Sequence, residues 1–216
     1  MHYPLLHPTT SFDAIILAGG NYPSHALPRA ILAGACHIVC CDSAFDLLEP
    51  SLIDRVDAIV GDGDSLPEAA KQQYKSLLYI ESEQDDNDLT KATRYCRMKG
   101  YHRLAFLGTT GKREDHALGN ISLLTEYAKD PDLQPVFITD YGIFVACTGD
   151  ATFDSFTRQQ VSIFNFGCTL LTSEGLRWNA YAFQNWWQGT LNEATGSSFT
   201  IHADGQYLVY RTYEAK

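Results

Sequence analysis

Acidic residues recur at short spacing in three segments of the first half of the chain. The segments are "CCDSAFD", with Asp42 and Asp46, "GDGDS", with Asp62 and Asp64, and "EQDDNDLTKA", with Asp85, Asp86 and Asp88 followed by Lys91. Carboxylates this close repel one another, and a divalent cation bound to their oxygens removes that repulsion. Oxygen atoms are the ligands that Mg²⁺ prefers, and a bound ion also attracts a polyphosphate. The spacing therefore indicates a metal and polyphosphate site.

Each segment also has a purely structural interpretation. An aspartate that follows a strand often caps a helix, and we expect at least one of Asp85, Asp86 and Asp88 to do so. Asp62 and Asp64 could shape a turn, although one aspartate would be enough for that. The argument for a metal site therefore depends on whether the three segments meet in space.

A glycine-rich segment further along the chain carries basic residues. In "LGTTGKREDHALGN", Gly108 and Gly111 let the backbone approach a ligand closely, and Lys112 and Arg113 follow them. These cations stand beside the predicted start of a helix, whose free N–H groups also favour anions. The segment is not a Walker A loop, because Phe106 occupies the position of the first glycine.

The same segment continues into the first turns of that helix. His116 and Asn120 are four residues apart, so they share a helical face near its start. Asp115 is expected to cap the helix or to orient Arg113. Together with the acidic segments, this pattern predicts a cradle for a triphosphate and its metal ion.

Short apolar runs alternate with helical patterns over the first two thirds of the chain. The predicted strands are Phe12–Leu17, His37–Cys41, Ala58–Val60, Leu77–Ile80, Arg103–Leu107 and Val136–Thr139. The predicted helices are Pro28–Gly34, Pro67–Lys75, Leu89–Met98 and His116–Lys129. This alternation predicts an α/β domain over residues 1–139, with a doubly wound, mostly parallel sheet. Ligands bind beyond the carboxyl ends of such strands, so the acidic segments are expected to meet at one edge.

The pattern changes after about Thr139. The segments "GIFVAC", "QQVSIFNF", "SSFTIHA" and "QYLVYRTY" are short, rich in β-branched or aromatic residues, and separated by glycine and polar turns. "HADGQY" places Asp204 and Gly205 between two of these runs, which predicts a hairpin. Residues 140–216 are therefore predicted to form a second, antiparallel all-β domain.

The composition is that of a globular protein and narrows the possible partners. The 216 residues carry a formal net charge of −10, which argues against a nucleic-acid backbone or an anionic membrane as partner. No run approaches the roughly 20 apolar residues of a membrane span, and the first residues do not resemble a signal peptide. The six cysteines form no C-x-x-C pair and are expected to be reduced. We expect a cytoplasmic protein.

Three motifs resemble, in order and spacing, those of the thiamine pyrophosphokinase family. "GDGDS" (61–65) is similar to G-D-x-D-S, "QDDNDLTKA" (84–92) to Q-D-x-[TN]-D-x-x-K-A, and "GKREDHALGN" (111–120) to G-G-R-x-D-H-x-x-x-N. "SEGLRW" and "GTLNEA" resemble shorter motifs of the family's C-terminal part. The resemblance implies an α/β domain followed by a β-sandwich, usually as a homodimer. It also implies Mg²⁺-dependent transfer of pyrophosphate from ATP to the hydroxyethyl group of thiamine, giving thiamine diphosphate and AMP.

The resemblance also implies roles for individual residues. The metal and pyrophosphate site would be formed by Asp42, Asp62, Asp64 and Asp88. The same pocket would include Gln84, Asp85, Asn87 and Lys91. The nucleotide phosphates would be handled by Arg113, Asp115, His116 and Asn120. Asp88, or alternatively Asp64, is expected to accept the proton of the thiamine hydroxyl, while Lys91 and Arg113 stabilise charge on the phosphates.

The chain departs from the family at positions that bear on the substrates. Lys112 replaces a glycine of the third motif, and Leu191 replaces a serine next to Asn192, which the resemblance assigns to the substrate. Trp186 and Trp187 are candidates to stack on the cationic thiamine ring, with packing in the sandwich or at a subunit contact as the alternative. Residues 140–216 are expected to contribute to thiamine binding and dimerisation.

Two other functions remain open on the sequence alone. One is a sensor of thiamine or of a nucleotide that kept the fold and lost the chemistry. The other is a different Mg²⁺-dependent phospho- or nucleotidyltransferase on the same kind of sheet. The retained acidic set and Lys91 argue against the sensor.

Overall fold

The structure is a computed structural model that describes residues 1–63 and 66–216. The chain divides into two units. The α/β unit consists of Pro8–Leu123 and Asp130–Asp140, and the β unit consists of Met1–His7, Leu124–Lys129 and Tyr141–Lys216. Among the described residues, no helix has both the length and the apolar character needed to cross a bilayer.

Parallel strands form the sheet of the α/β unit. Strand β1 (His2–Tyr3) belongs to the β unit. The strands of the α/β unit are β2 (Ala14–Leu17), β3 (Ile38–Cys41), β4 (Val56–Gly61), β5 (Leu78–Ile80), β6 (Arg103–Leu107) and β7 (Gln134–Ile138). Their order is β7-β6-β2-β3-β4-β5, and each neighbouring pair is parallel. Ile16, Val39 and Leu107 are fully buried, as in the near-continuous apolar strands of parallel sheets. The prediction of a mostly parallel sheet in this part of the chain is confirmed.

The strand order reverses at β2. β3 pairs with one edge of β2, and β6, which comes later in the chain, pairs with the other edge. At such a switch point the connections leave the sheet in different directions, and a crevice opens beyond the carboxyl ends of the two strands. The expected ligand site therefore lies beyond the ends of β2 and β6.

Helices connect these strands. They are α1 (Ala26–Ala33), α2 (Glu68–Gln73), α3 (Asp88–Met98) and α4 (Glu114–Tyr127), with 3₁₀ helices at Asp42–Leu47 and Pro50–Arg55. Each predicted helix is present, with its ends shifted by two residues or fewer. α1 begins before Pro28 because the His25 side chain caps it, accepting the N–H of Leu27 at 3.2 Å.

Antiparallel strands dominate the β unit. They are β1, β8 (Gly142–Thr148), β9 (Ala151–Asp154), β10 (Gln159–Asn165), β11 (Leu171–Glu174), β12 (Asn192–Glu193), β13 (Ser198–Ala203) and β14 (Gln206–Ala215). One hydrogen-bonded group has the order β1-β9-β13-β11, and another has the order β12-β10-β14-β8. The sequence pattern located β8, β10, β13 and β14. It missed β1, β9, β11 and β12, whose two or four residues each carry little apolar signal.

The hairpin predicted at Asp204 and Gly205 was wrong. β13 pairs with β9 and β11, whereas β14 pairs with β8 and β10, so this short link joins two groups of strands. The Asp204 carboxylate accepts the N–H groups of Thr169 and Leu170, each at 2.9 Å. The Asp-Gly pair therefore anchors a neighbouring loop instead of closing a two-stranded turn.

Candidate active site

Glycines hold together the loops that follow β2 and β6. The N–H of Gly20 donates to the carbonyl of Gly108 at 2.8 Å, and the N–H of Asn21 donates to that of Thr110 at 2.9 Å. A Cβ on Gly20 would lie 2.3 Å from the Thr110 oxygen, so a side chain there would force the loops apart. Gly108 has a φ of 67°, which favours glycine. Closely apposed backbone therefore borders the crevice at the switch point.

A cavity of about 410 Å³ opens at this crevice, within the α/β unit. Its lining comes from the ends of β2, β3 and β6 and from the starts of α3 and α4. Asn87, Asp88, Arg113, His116 and Asn120 all line it. The structure thus brings these five residues, named from the second and third motifs, to one site.

Asp88 is the first residue of α3 and lines the cavity. The preceding Asn87 caps the helix, because its side-chain oxygen accepts the N–H of Thr90 at 3.0 Å. The expectation that Asp85, Asp86 or Asp88 would be the cap was therefore wrong. Asparagine caps a helix as well as aspartate does, and its presence at the cap leaves Asp88 for the cavity.

Asp42 and Asp88 approach each other across Gly61. A Cβ on Gly61 would lie 2.8 Å from the Cβ of Asp42 and 3.4 Å from Oδ1 of Asp88. Burial, and next the charge of Asp42, raises the pKa of Asp88. Asp62 also raises this pKa, whereas the ammonium group of Lys91 lowers it. Carboxylates from the three acidic segments therefore lie within electrostatic reach of one another.

Other residues named from the acidic motifs lie beside this group. Gln84 donates from Nε2 to Oδ2 of Asp62 at 3.2 Å. Asp85 is exposed, and its backbone N–H donates to the Glu83 carboxylate at 3.0 Å. Asp64, which the sequence assigned to the metal and catalytic site, lies outside the described residues, and its role stays a prediction.

Lys91 is buried and holds the loop that precedes α3. Its Nζ donates to the carbonyls of Glu81 at 3.0 Å and Glu83 at 2.6 Å. Arg94, further along the same helix, pairs with the carboxylates of Glu81 and Asp86. Two basic residues of α3 thus fix the acidic loop in place. The contacts of Lys91 are those of a positioning residue, and its expected action on phosphate charge stays a prediction.

The basic side of the cavity includes Lys112, whose backbone is left-handed. Its φ is 59°, and the left-handed region costs a residue with a side chain about 1–2 kcal/mol. Its Nζ donates to the carbonyl of Gly19 at 2.7 Å. The side chain thus links the loop after β6 to the loop after β2. The family motif has a glycine here, for which this conformation carries no such cost.

Arg113 is oriented by Asp115. Its Nε and Nη2 atoms donate to the two carboxylate oxygens of Asp115 at 3.1 and 2.6 Å. The guanidinium holds the pKa of the Asp115 carboxyl below its usual range. Asp115 also accepts the N–H of His116 at 3.0 Å. Of the two roles expected for Asp115, the structure shows the second, and α4 already begins at Glu114.

Asn120 connects elements on opposite sides of the cavity. Its Nδ2 donates to the carbonyl of Thr109 at 2.8 Å, and its Oδ1 accepts from Nδ2 of Asn87 at 3.5 Å. His116 lies one turn earlier on α4 and also lines the cavity, so the predicted shared face is present. Asn120 thus ties α4 to the end of β6 and to the start of α3.

Part of the lining was not identified from the sequence. Gly19 and Gly20, in the segment "LAGGN" that follows β2, border the cavity directly. A pair of glycines after a buried strand was an available signal, because backbone that approaches another loop closely has no room for side chains. Thr109 lines the cavity as well, and an isolated threonine carries no pattern that would reveal it.

The acidic side offers the oxygen ligands that Mg²⁺ takes. Across residues 1–63 and 66–216, no three His, Cys, Asp or Glu side chains are grouped so as to hold a metal ion unaided. Mg²⁺ commonly binds through one or two carboxylates together with phosphate oxygens and water. The charges of Asp42 and Asp62 repel the Asp88 carboxylate, and a bound cation would relieve that repulsion. These residues therefore fit such an ion.

A second cavity, of about 290 Å³, lies within the β unit. Its walls include Trp178, Tyr181 and Asn192. The Asn192 amide fixes the backbone of Trp178, donating to its carbonyl at 2.7 Å and accepting its N–H at 3.2 Å. This cavity therefore combines aromatic faces with a rigid polar wall. Trp178 and Tyr181 were not identified from the sequence.

The two tryptophans named from the sequence lie in a 3₁₀ helix, Trp186–Gly189, of the same unit. The Trp186 ring packs 5.3 Å from that of Phe166 but Trp186 is still 44% exposed, and Trp187 is 73% exposed. Neither residue is among those that line the β-unit cavity, although the following Gln188 is. Both tryptophans are exposed, and a thiamine contact of either one stays a prediction.

Fold and site together define an α/β unit with a cavity at a sheet switch point, lined by both acidic and basic side chains, and a β unit with a cavity of its own. Two family models match the chain. The thiamin pyrophosphokinase catalytic domain matches residues 29–136, and the thiamin pyrophosphokinase substrate-binding domain matches residues 142–210. The chain belongs to the thiamin pyrophosphokinase family.

Solved structures share this fold at low sequence identity. Thiamin pyrophosphokinase from Candida albicans is 17% identical, with a TM-score of 0.80 over 99% of this chain and 92% of that one. The enzyme from Bacillus subtilis is 20% identical, with a TM-score of 0.73 over 95% and 100% of the two chains. The yeast enzyme is 16% identical, with a TM-score of 0.74 over 98% and 91%. Comparison with curated protein sequences gave no match.

Proposed function

We propose that the chain is a Mg²⁺-dependent thiamine pyrophosphokinase. It transfers pyrophosphate from ATP to the hydroxyethyl group of thiamine, giving thiamine diphosphate and AMP. The observation that carries the proposal is the switch-point cavity, where Asp88 shares the lining with Lys112, Arg113 and His116. An acidic group suited to a metal and a basic helix start suited to phosphate are what a nucleotide triphosphate requires.

In this proposal the acidic side holds the metal. Asp42, Asp62 and Asp88 would bind Mg²⁺, and Asp64 would join them as predicted from its motif. Bound Mg²⁺ would offset the charge of the carboxylates and of the triphosphate. Gln84, which donates to Asp62, and Asp85 would complete this side of the pocket.

The nucleophile is a primary alcohol, so the reaction depends on alignment more than on a strong base. Asp88 accepts the hydroxyl proton, with Asp64 as the alternative. Arg113, oriented by Asp115, stabilises charge on the phosphates. His116, Asn120 and Asn87 bind and position the nucleotide from the other walls of the cavity.

The proposal places thiamine against the β unit, the part that matches the substrate-binding domain. The thiazolium ring carries a permanent positive charge, which suits the faces of Trp178 and Tyr181 in the β-unit cavity. Trp178→Leu is expected to raise the KM for thiamine about tenfold and to leave the KM for ATP unchanged. Trp187→Leu is the matched variant outside that cavity. If it raises the KM for thiamine more than Trp178→Leu does, Trp187 and not Trp178 contacts the thiamine ring.

The proposal also covers the domain boundaries, the oligomeric state and the cellular location. Residues 1–139 would act as a doubly wound catalytic domain, and residues 140–216 as a β-sandwich that contributes to thiamine binding and to a homodimer. The six cysteines are free, in keeping with a cytoplasmic location. Sedimentation of the purified protein would establish whether it is a dimer.

The test is product analysis with purified protein, ATP, thiamine and Mg²⁺. AMP and thiamine diphosphate are expected in equal amounts, and omission of thiamine or of Mg²⁺ should stop AMP release. Release of ADP or of free pyrophosphate would identify a different transferase. Binding of both ligands without any product would identify a sensor.

A further inference from the structure

Lys112, which lines the cavity, has a left-handed backbone conformation that residues with a side chain rarely adopt. Non-glycine residues with positive φ in the described part of the chain are Lys112, Arg158 and Leu191. Of these, Lys112 alone lines the switch-point cavity. Strained residues of this kind persist only where the surrounding structure holds them, and they gather at functional sites.

The Lys112 side chain reaches across the switch point. Its ammonium group has three N–H donors, and the contact with the Gly19 carbonyl at 2.7 Å uses one of them. No ion pair joins Lys112 to an acidic residue in the described part of the chain. The neighbouring Arg113, by contrast, is paired in bidentate fashion with Asp115.

Lys112 therefore adds a positive charge to the cavity wall, where the charge of Arg113 is already partly offset by Asp115. Gly111 and Lys112 form the left-handed turn that leads into α4, whose start also lines the cavity and favours anions. A glycine at this position would relieve the strain and remove the charge. This chain has the charged residue Lys112 at the strained backbone position.

We propose that Lys112 binds the phosphates of the nucleotide, and that its strained backbone is maintained for this contact. The inference rests on the proposed function, in which a triphosphate occupies the cavity. The ammonium would donate to a phosphate oxygen as well as to the Gly19 carbonyl. The phosphate would then be bound at the point where Lys112 links the loop after β6 to the loop after β2. Charge-assisted contacts of this kind are among the stronger hydrogen bonds.

The experiment measures binding of a non-hydrolysable ATP analogue and of adenosine, with Mg²⁺ present, to the full chain and its variants. Lys112→Gly is expected to weaken binding of the analogue at least about tenfold and to leave adenosine binding unchanged. Its Tm should be equal to that of the wild type or up to about 4 °C higher, because the strain is relieved. Lys112→Met, which keeps the strain and loses the charge, should lose the same affinity without any gain in Tm.

Arg158→Gly is the matched control. Arg158 is also a basic residue with a left-handed backbone, with a φ of 68°, and it belongs to the β unit and not to this cavity. This variant should bind the analogue as the wild type does and gain a similar amount in Tm.

Three outcomes would overturn the inference: unchanged affinity of Lys112→Gly for the analogue, wild-type affinity in Lys112→Met, or equal loss of adenosine and analogue binding. The last would show that Lys112 only shapes the loop. If the wild type binds the analogue through Lys112 but makes no thiamine diphosphate, the proposed function fails and the role of Lys112 stands.

Discussion

The acidic and basic sides of the switch-point cavity are built in different ways. Asp42, on the acidic side, is 3% exposed, and its segment meets those of Asp62 and Asp88 at the carboxyl ends of strands. Arg113, on the basic side, is an exposed side chain held by Asp115 two residues along. The acidic side therefore depends on tertiary packing, whereas the orientation of Arg113 on the basic side depends on a local contact at one helix start.

This difference assigns different tasks to the two sides. The carboxylates of Asp42 and Asp62 repel that of Asp88 and are held near it by the fold before any cation binds, so the acidic side, which we propose binds the metal, is preorganised. Exposed cations on a short turn can adjust to a flexible phosphate chain. Substitutions on the acidic side should therefore affect the chemical step and the stability together, and substitution of Arg113 on the basic side should affect nucleotide handling alone.

The largest effect is expected for Asp88→Asn. Loss of the proposed proton acceptor and metal ligand should lower kcat on the order of 10³-fold, while ATP still binds. Steady-state kinetics and equilibrium binding would be measured side by side. Asp46→Asn, an exposed residue of the 3₁₀ helix that begins at Asp42, is the control and should keep near-normal turnover. Near-normal turnover of Asp88→Asn would dismiss the catalytic role.

Removal of the guanidinium on the basic side should have a smaller effect. Arg113→Met is expected to lower kcat/KM for ATP roughly 100-fold, because the donor that we propose for the developing phosphate charge is lost. Arg113→Lys keeps the charge without the planar fork, so it should recover only part of this loss. The Tm should not change, since Arg113 is exposed. A matching fall in Tm would contradict the distinction between the two sides.

The stability of the metal-free protein should depend on Asp88 in a defined direction. The folded-state pKa of Asp88 is raised, so its charged form disfavours folding above the unfolded-state pKa, and this penalty disappears as the pH falls below that value. Asp88→Asn should therefore have a higher Tm than the wild type at pH 7, with the two values converging towards pH 4. Thermal melts in chelator would measure this, and a lower Tm at pH 7 would refute it.

Loss of the residue that orients Arg113 should have the smallest effect. Asp115→Asn breaks an exposed ion pair, so kcat/KM for ATP is expected to fall by about fivefold or less. The loss should shrink further at high salt, because salt screens exposed pairs. Kinetics at two salt concentrations would measure it. A fall as large as that of Arg113→Met would mean that Asp115 contacts the substrate itself.

The acidic side was also the easier one to find from the sequence. Its aspartates stand in three motifs at the ends of apolar runs, and the carboxyl ends of parallel strands share one edge. The helix cap was assigned to the wrong residue, because asparagine and aspartate cap equally well and the spacing alone does not distinguish Asn87 from its neighbours. Gly19 and Gly20 were overlooked because their importance comes from the approach of a second loop.

The sequence by itself determined the alternation of strands and helices, the carboxylates and cations of the motifs, and the change to β structure after about Thr139. Each of these depends on periodicity or residue type within a short window. Only the tertiary structure decided which strands pair across the Asp204–Gly205 link, which aromatic residues line the β-unit cavity, and that Lys112 reaches Gly19. These contacts join residues distant in sequence, and packing, not local preference, selects among them.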